Sequence, residues 1–220
     1  MKKFLKKALL LAFFLLASSS TFADDFNGDI QLVLGHEKQY MTIDDGAFRW
    51  KSNNFDIGLK NAGFYELASF FGLGYMLGCD LTIGKSIYAE NSRTHDDFDF
   101  LLGFDTFLGP AISIKIPQVL TLQGGIGFAW QYMAMFGDID AEGLIRKSVD
   151  YNIYEKSSGF GFDIQAKLFP ISPLSAVFGL KGIFTGNTKY RLSIDGHSDT
   201  IDDDIDLTCF KFYAGGSLNF

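Results

Sequence analysis

The chain has 220 residues, 19 of them basic and 26 acidic, for a formal net charge of −7. An acidic balance gives no electrostatic footing for nucleic acid, and two cysteines are too few for a disulfide framework. Aromatic residues make up 16% of the chain, with 24 Phe and 24 Gly. Even so, no segment beyond residue 23 stays apolar for the ~18 residues that a membrane-spanning helix requires.

The first element is MKKFLKKALLLAFFLLASSSTFA. Lys2, Lys3, Lys6 and Lys7 form a basic head, Ala8 to Ala17 an apolar run, and Thr21-Phe22-Ala23 a small-residue cleavage pattern. This predicts a secretory signal peptide over 1–23, cut after Ala23. The apolar run is short for a bilayer span, and no Cys near the cut offers a lipid anchor. Removing those four lysines leaves 15 basic against 26 acidic residues, net −11. The remainder, 24–220, reads as one domain.

Alternation of period two then dominates. Ile30, Leu32 and Leu34 mark a strand within 28–41, and Phe55, Ile57 and Leu59 another within 52–61. Phe71, Leu73, Tyr75, Leu77, Leu81 and Ile83 alternate with Gly72, Gly74, Gly78, Asp80 and Thr82. Residues 98–116 keep one phase from Phe98 to Ile116, opposite Asp99, Asp105, Ser113 and Lys115. After the turn signal Pro117-Gln118, Leu120, Leu122, Ile126, Phe128, Trp130 and Tyr132 lie opposite Thr121, Gln123, Gly125, Gly127 and Gln131. Strands at 160–168, 174–184 (after Pro170-Ile171-Ser172-Pro173) and 205–220 bring the number to eight. Cys79 and Cys209 fall on strands not expected to be neighbours and read as unpaired thiols.

The connections sort by length. Short ones are expected near 61–68, 117–118 and 170–173, and long polar ones near 43–52, 86–97, 137–157 and 195–204. A membrane barrel sorts its connections this way, with short turns on the periplasmic side and longer loops outside. The face opposite the oily one mixes Gly, Ser, Thr and Gln with both charge signs, which suits a narrow lumen filled by side chains. Asp105, Lys115, Asp163, Lys167 and Lys181 are accordingly expected to point inward and share a mixed-charge network. Backbone groups facing lipid have no water, so the sheet must close on itself. The predicted fold is therefore all-β, an eight-stranded antiparallel up-and-down transmembrane barrel.

The last residues, YAGGSLNF, resemble the C-terminal β-signal of bacterial outer-membrane barrels. Gly215, Leu218 and Phe220 fit that pattern, with Tyr213 at its polar position. Signal peptide and strand pattern together resemble the small OmpX, OmpW and OmpA-barrel type. The resemblance implies the bacterial outer membrane as location, outer-membrane lipid and the barrel-assembly machinery as partners, and an assembly-signal role for Tyr213, Gly215, Leu218 and Phe220.

Other motifs do not carry chemistry. Gly78 to Ser86 has one residue too many between its glycines for a phosphate loop and lies in a strand pattern. Asp138, Asp140 and Glu142 begin like a calcium loop, but position twelve is Val149. Asp199, Asp202, Asp203, Asp204 and Asp206 form an acidic run that reads as a solvated loop, with bridging by hard divalent cations as the alternative. His95 lies beside Asp96 and Asp97, and His197 near Asp195 and Asp199, with Ser92 and Ser198 close in sequence. Like His36, these read as ordinary residues that match no enzyme-family motif, so no enzyme activity, cofactor or metal site is expected. The expected role is structural or surface-interacting, with acidic loops offered to an extracellular or host ligand. The alternative is a narrow conduit for small or hydrophobic solutes.

Overall fold

The computed structural model describes residues 26–43, 48–89, 95–116, 119–141, 147–169, 173–186, 189–194, 197–201 and 205–220. The expected signal peptide and the turns at 117–118 and 170–172 lie outside them. The strands are β1 (Phe26–Ile43), β2 (Phe48–Ala68), β3 (Phe71–Ala89), β4 (His95–Ile116) and β5 (Leu120–Ala141). They continue with β6 (Lys147–Leu168), β7 (Leu174–Thr185), β8 (Lys189–Ile194), β9 (His197–Ile201) and β10 (Ile205–Asn219). Every pairing is antiparallel, and consecutive strands from β1 to β7 are neighbours. Both β7 and β8 pair with β6, from Leu168↔Ala176 to Gly159↔Thr185 and then from Lys156↔Lys189 to Tyr151↔Ile194. They are thus two lengths of one stave. β9, paired with β8, and β10, paired with β7, form the last stave. β10 then closes on β1 from Asp29↔Asn219 to Ile43↔Ile205. The result is a closed barrel of eight staves, with no helix among the described residues.

The alternation places large apolar side chains outside on every stave. Leu34, Phe55, Leu73, Leu108, Phe128, Ile164, Phe178 and Phe212 are all exposed. The opposite positions are buried and polar, among them Gln31, Asp56, Thr82, Asp105, Gln131, Asp163, Lys181 and Lys211. This is the reverse of a water-soluble barrel, and it is what lipid outside and a packed lumen inside require. Aromatic clusters border the belt. Trp130 stands between Phe104 and Tyr132, with ring centroids 6.1 and 6.4 Å away, and Phe26 stacks on Tyr75 at 6.2 Å.

Two expectations are corrected. The turn expected near 61–68 is strand, because β2 runs to Ala68 and the turn is Ser69-Phe70. Gly63, within that stretch, leaves room for aromatic rings. A Cβ there would stand 2.8 Å from Tyr75 and collide with the ring of Phe26. The long loops are also largely strand, since β5 extends to Ala141, β6 starts at Lys147, and β3 and β4 reach Ala89 and His95. Beyond the lipid both faces of a strand meet water. Apolar alternation lapses there while the hydrogen-bond ladder continues, with Asp138↔Asp150 and Asp140↔Ser148 still paired. The barrel is therefore tall at this end and ends in tight turns at the other.

The lumen as candidate functional site

β4 shows how the lumen is layered. Its inward positions run from Ser113 near the short turns through Ala111 and Phe107 to Asp105 and then Leu101, all buried. Each polar level is thus followed by an apolar one. Phe107 and Ala111 pack with Ala62, Phe64 and Met76 from β2 and β3. At the tall end Leu101 packs with Met133, Met135 and Ile153.

Between these apolar layers sits a charged cluster. Lys181 donates to Asp80 at 2.6 Å and also to Asp105. Lys211 pairs with Glu37 at 2.8 Å, with Asp105, and more distantly with Asp80 at 3.7 Å. Glu37 accepts further bonds from Asn54 and Thr82, each at 3.1 Å. Removing charges from water is costly unless geometry and extra hydrogen bonds compensate, and here each lysine has two or more carboxylates. A second group lies beside it. Lys60 bonds Asp163 at 2.5 Å, and Tyr213 donates to Asp163 at 2.5 Å and to Gln165 at 3.1 Å. The Lys60 ammonium also stands 3.3 Å from the centre of the Tyr213 ring, a cation–π contact in a site closed to water.

The third group is at the short-turn mouth. Lys167 bonds Asp29 and, at 2.8 Å, Asn219, while the more exposed Lys115 bonds Glu66. A cavity of about 200 Å³ opens here, lined in part by Asp29, Ser113, Lys115, Gln123 and Lys167.

Of the five residues expected to share one network, only Asp105 and Lys181 bond each other. Asp163 pairs with Lys60, Lys167 with Asp29, and Lys115 with Glu66. Sequence reading missed Lys60, Lys211, Glu37 and Asp80 as partners. Their parity, opposite Ile57, Phe212, Leu34 and Leu81, was the available signal. Tyr213 belongs to the lumen, Gly215 pairs with Val33, and Leu218 and Phe220 face outward. Cys209 is buried on the inner face and Cys79 lies on the outer face of β3, so the two thiols are separate. Gly78 to Ser86 occupies consecutive positions of β3. His36 is exposed on β1, and His95 and His197 sit on β4 and β9. The acidic runs fall partly outside the described residues, at 142–146 and 202–204.

No protein-family profile matches the chain, and no curated protein matches it. Solved structures do. A major outer membrane protein from Thermus thermophilus is 14% identical over 88% of this chain and 99% of its own, with a TM-score of 0.49. Outer membrane protease OmpT from Escherichia coli is 14% identical over 92% of this chain and all of its own, at 0.43. Ail, the attachment invasion locus protein of Yersinia pestis, is 13% identical over 87% and 99%, at 0.38. At such identities and scores, the apolar belt, the closed ladder and the packed polar lumen decide the matter. By those features the chain is an eight-stranded transmembrane β-barrel of the outer-membrane kind.

Proposed function

We propose that the protein is a sealed outer-membrane barrel whose role is structural or surface-interacting, with its tall acidic end outward and the short turns in the periplasm. One observation carries this reading. The charged cluster of Lys181, Lys211, Asp80, Asp105 and Glu37 is buried between apolar layers, a packing that supports a lumen closed to ions. Residues 1–23 are read as the export signal, and Tyr213, Gly215, Leu218 and Phe220 as the segment the barrel-assembly machinery recognises. The sequence of the tall end is rich in Asp, with Asp96, Asp97, Asp138, Asp140 and Asp150 at paired strand positions, a composition that favours a basic extracellular or host ligand. Planar-bilayer recording on the refolded chain tests the sealed state. No ion conductance is expected, whereas steady single-channel currents would favour the second reading, a narrow conduit fed by the cavity at the short-turn mouth.

A further inference from the structure

Among the described residues the buried interior holds seven carboxylates against four lysines. All four lysines are taken up in the ion pairs above, and Asp56 and Glu155 are left outside those pairs. Glu155 is the sharper case. It is 1% exposed, and neither carboxylate oxygen meets a partner in hydrogen-bonding geometry.

Its neighbours share the condition. Ser157, next inward on β6, has an unpartnered Oγ, and Gln131, directly opposite Ser157 on β5, an unpartnered Oε1. Both residues are 1% exposed. Directly opposed strand residues have Cβ atoms about 5 Å apart and diagonal ones about 7–8 Å, so these three side chains are within reach of one centre. Four oxygens therefore lack partners together: two from a carboxylate, one from an amide carbonyl, one from a hydroxyl. Buried polar atoms are rarely left so. The Ser157 hydroxyl is a neighbouring donor that can turn toward Glu155, and the remaining oxygens make up part of the mixed oxygen set that a hard cation takes. Met133 lies opposite Glu155, and Met135 opposite Ile153. The apolar layer they form with Leu101 covers the site on the tall side.

We propose that Glu155, Ser157 and Gln131 hold a calcium-sized cation inside the barrel, where it offsets part of the carboxylate excess. Ca²⁺ suits the site better than Mg²⁺, since Ca²⁺ accepts mixed oxygen ligands in flexible geometry whereas Mg²⁺ demands a near-ideal octahedron. Beneath its cover the ion enters as the barrel closes and leaves slowly.

The test is to refold the chain in detergent with EDTA or with Ca²⁺, and to follow thermal unfolding and calorimetric Ca²⁺ binding. Wild type refolded with Ca²⁺ is expected to melt higher and to resist later chelation for hours. Glu155→Gln keeps the volume and is expected to fold, by gel migration, while losing the Ca²⁺-dependent shift. Gln131→Met, which removes the carbonyl ligand together with the amide NH2, is expected to weaken binding about tenfold, the equivalent of 1.4 kcal/mol. A wild type indifferent to Ca²⁺ would overturn the proposal. So would a shift that survives Glu155→Gln, which would assign the ion to the acidic rim.

Discussion

Phe220 and Gly28 exchange both backbone hydrogen bonds, each 3.0 Å long, and the phenyl ring lies across the position where a Cβ on residue 28 would stand. The last stave is thereby pinned to the first by a ring seated on a glycine. Phe220→Ala keeps the backbone pair and removes the ring, at a cost of ~2 kcal/mol or less by apolar-transfer bookkeeping. Refolding in detergent is expected to be near normal, while the amount inserted in living cells falls sharply. Equal surface levels of variant and wild type would reduce Phe220 to a packing residue. Gly28→Val is expected to dislodge the ring and to weaken both measures.

Lys181 and Lys115 give a matched comparison. Lys181→Met leaves Asp80 and Asp105 without one of their lysines in a fully buried site, a loss on the order of 3–5 kcal/mol. Lys115→Met breaks a pair whose side chains are 28% and 33% exposed, worth ~1 kcal/mol at most. Urea unfolding of the two refolded variants should separate them clearly; equal midpoints would refute the assignment of the buried cluster as the stabilising one.

The cysteines report on the two faces. Cys79 lies on the outer face between Leu77 and Leu81, and Cys209 is fully buried inside. A lipid-soluble maleimide is expected to label Cys79 in the folded barrel, and a charged one is not. Cys209 is expected to react only after unfolding. Rapid labelling of Cys209 by the charged reagent would mean that the lumen is open.

Protease added to intact cells is expected to cut within 90–94 or 142–146, at the tall end, and to spare Ser69-Phe70 and 170–172. Cuts confined to the short turns would place them outside.

Much of the architecture was legible because lipid leaves a simple imprint: Phe128, Ile164 and Phe212 had to face one way, and Gln131, Asp163 and Lys211 the other. Legibility ended where the lipid ends. Residues 147–157 look like loop because Val149, Tyr151 and Ile153 fall on the parity opposite to that of Phe160 and Ile164, with polar and charged residues between them, yet they pair along β5 from Ala141 to Gln131. The turn expected near 61–68 lies further on, at Ser69-Phe70, and Gly63 within that stretch sits under aromatic rings rather than in a turn. The inward direction of Asp105 and Lys181 followed from parity. That Lys167 meets Asp29 rather than Asp163 depends on the stagger of staves far apart in the chain, which no local pattern encodes.

That stagger has a kinetic consequence. Lys60 and Asp163 are 103 residues apart, Lys181 and Asp80 101, and Lys167 and Asp29 138. None of these contacts can form until almost the whole meander is in register, so they reward the chain only at the end of a long loss of entropy. Unfolding is correspondingly concerted: a single stave cannot peel away without stranding charges on the far wall. In amide exchange the lumen-flanking strands should therefore open together, as one slow cooperative unit.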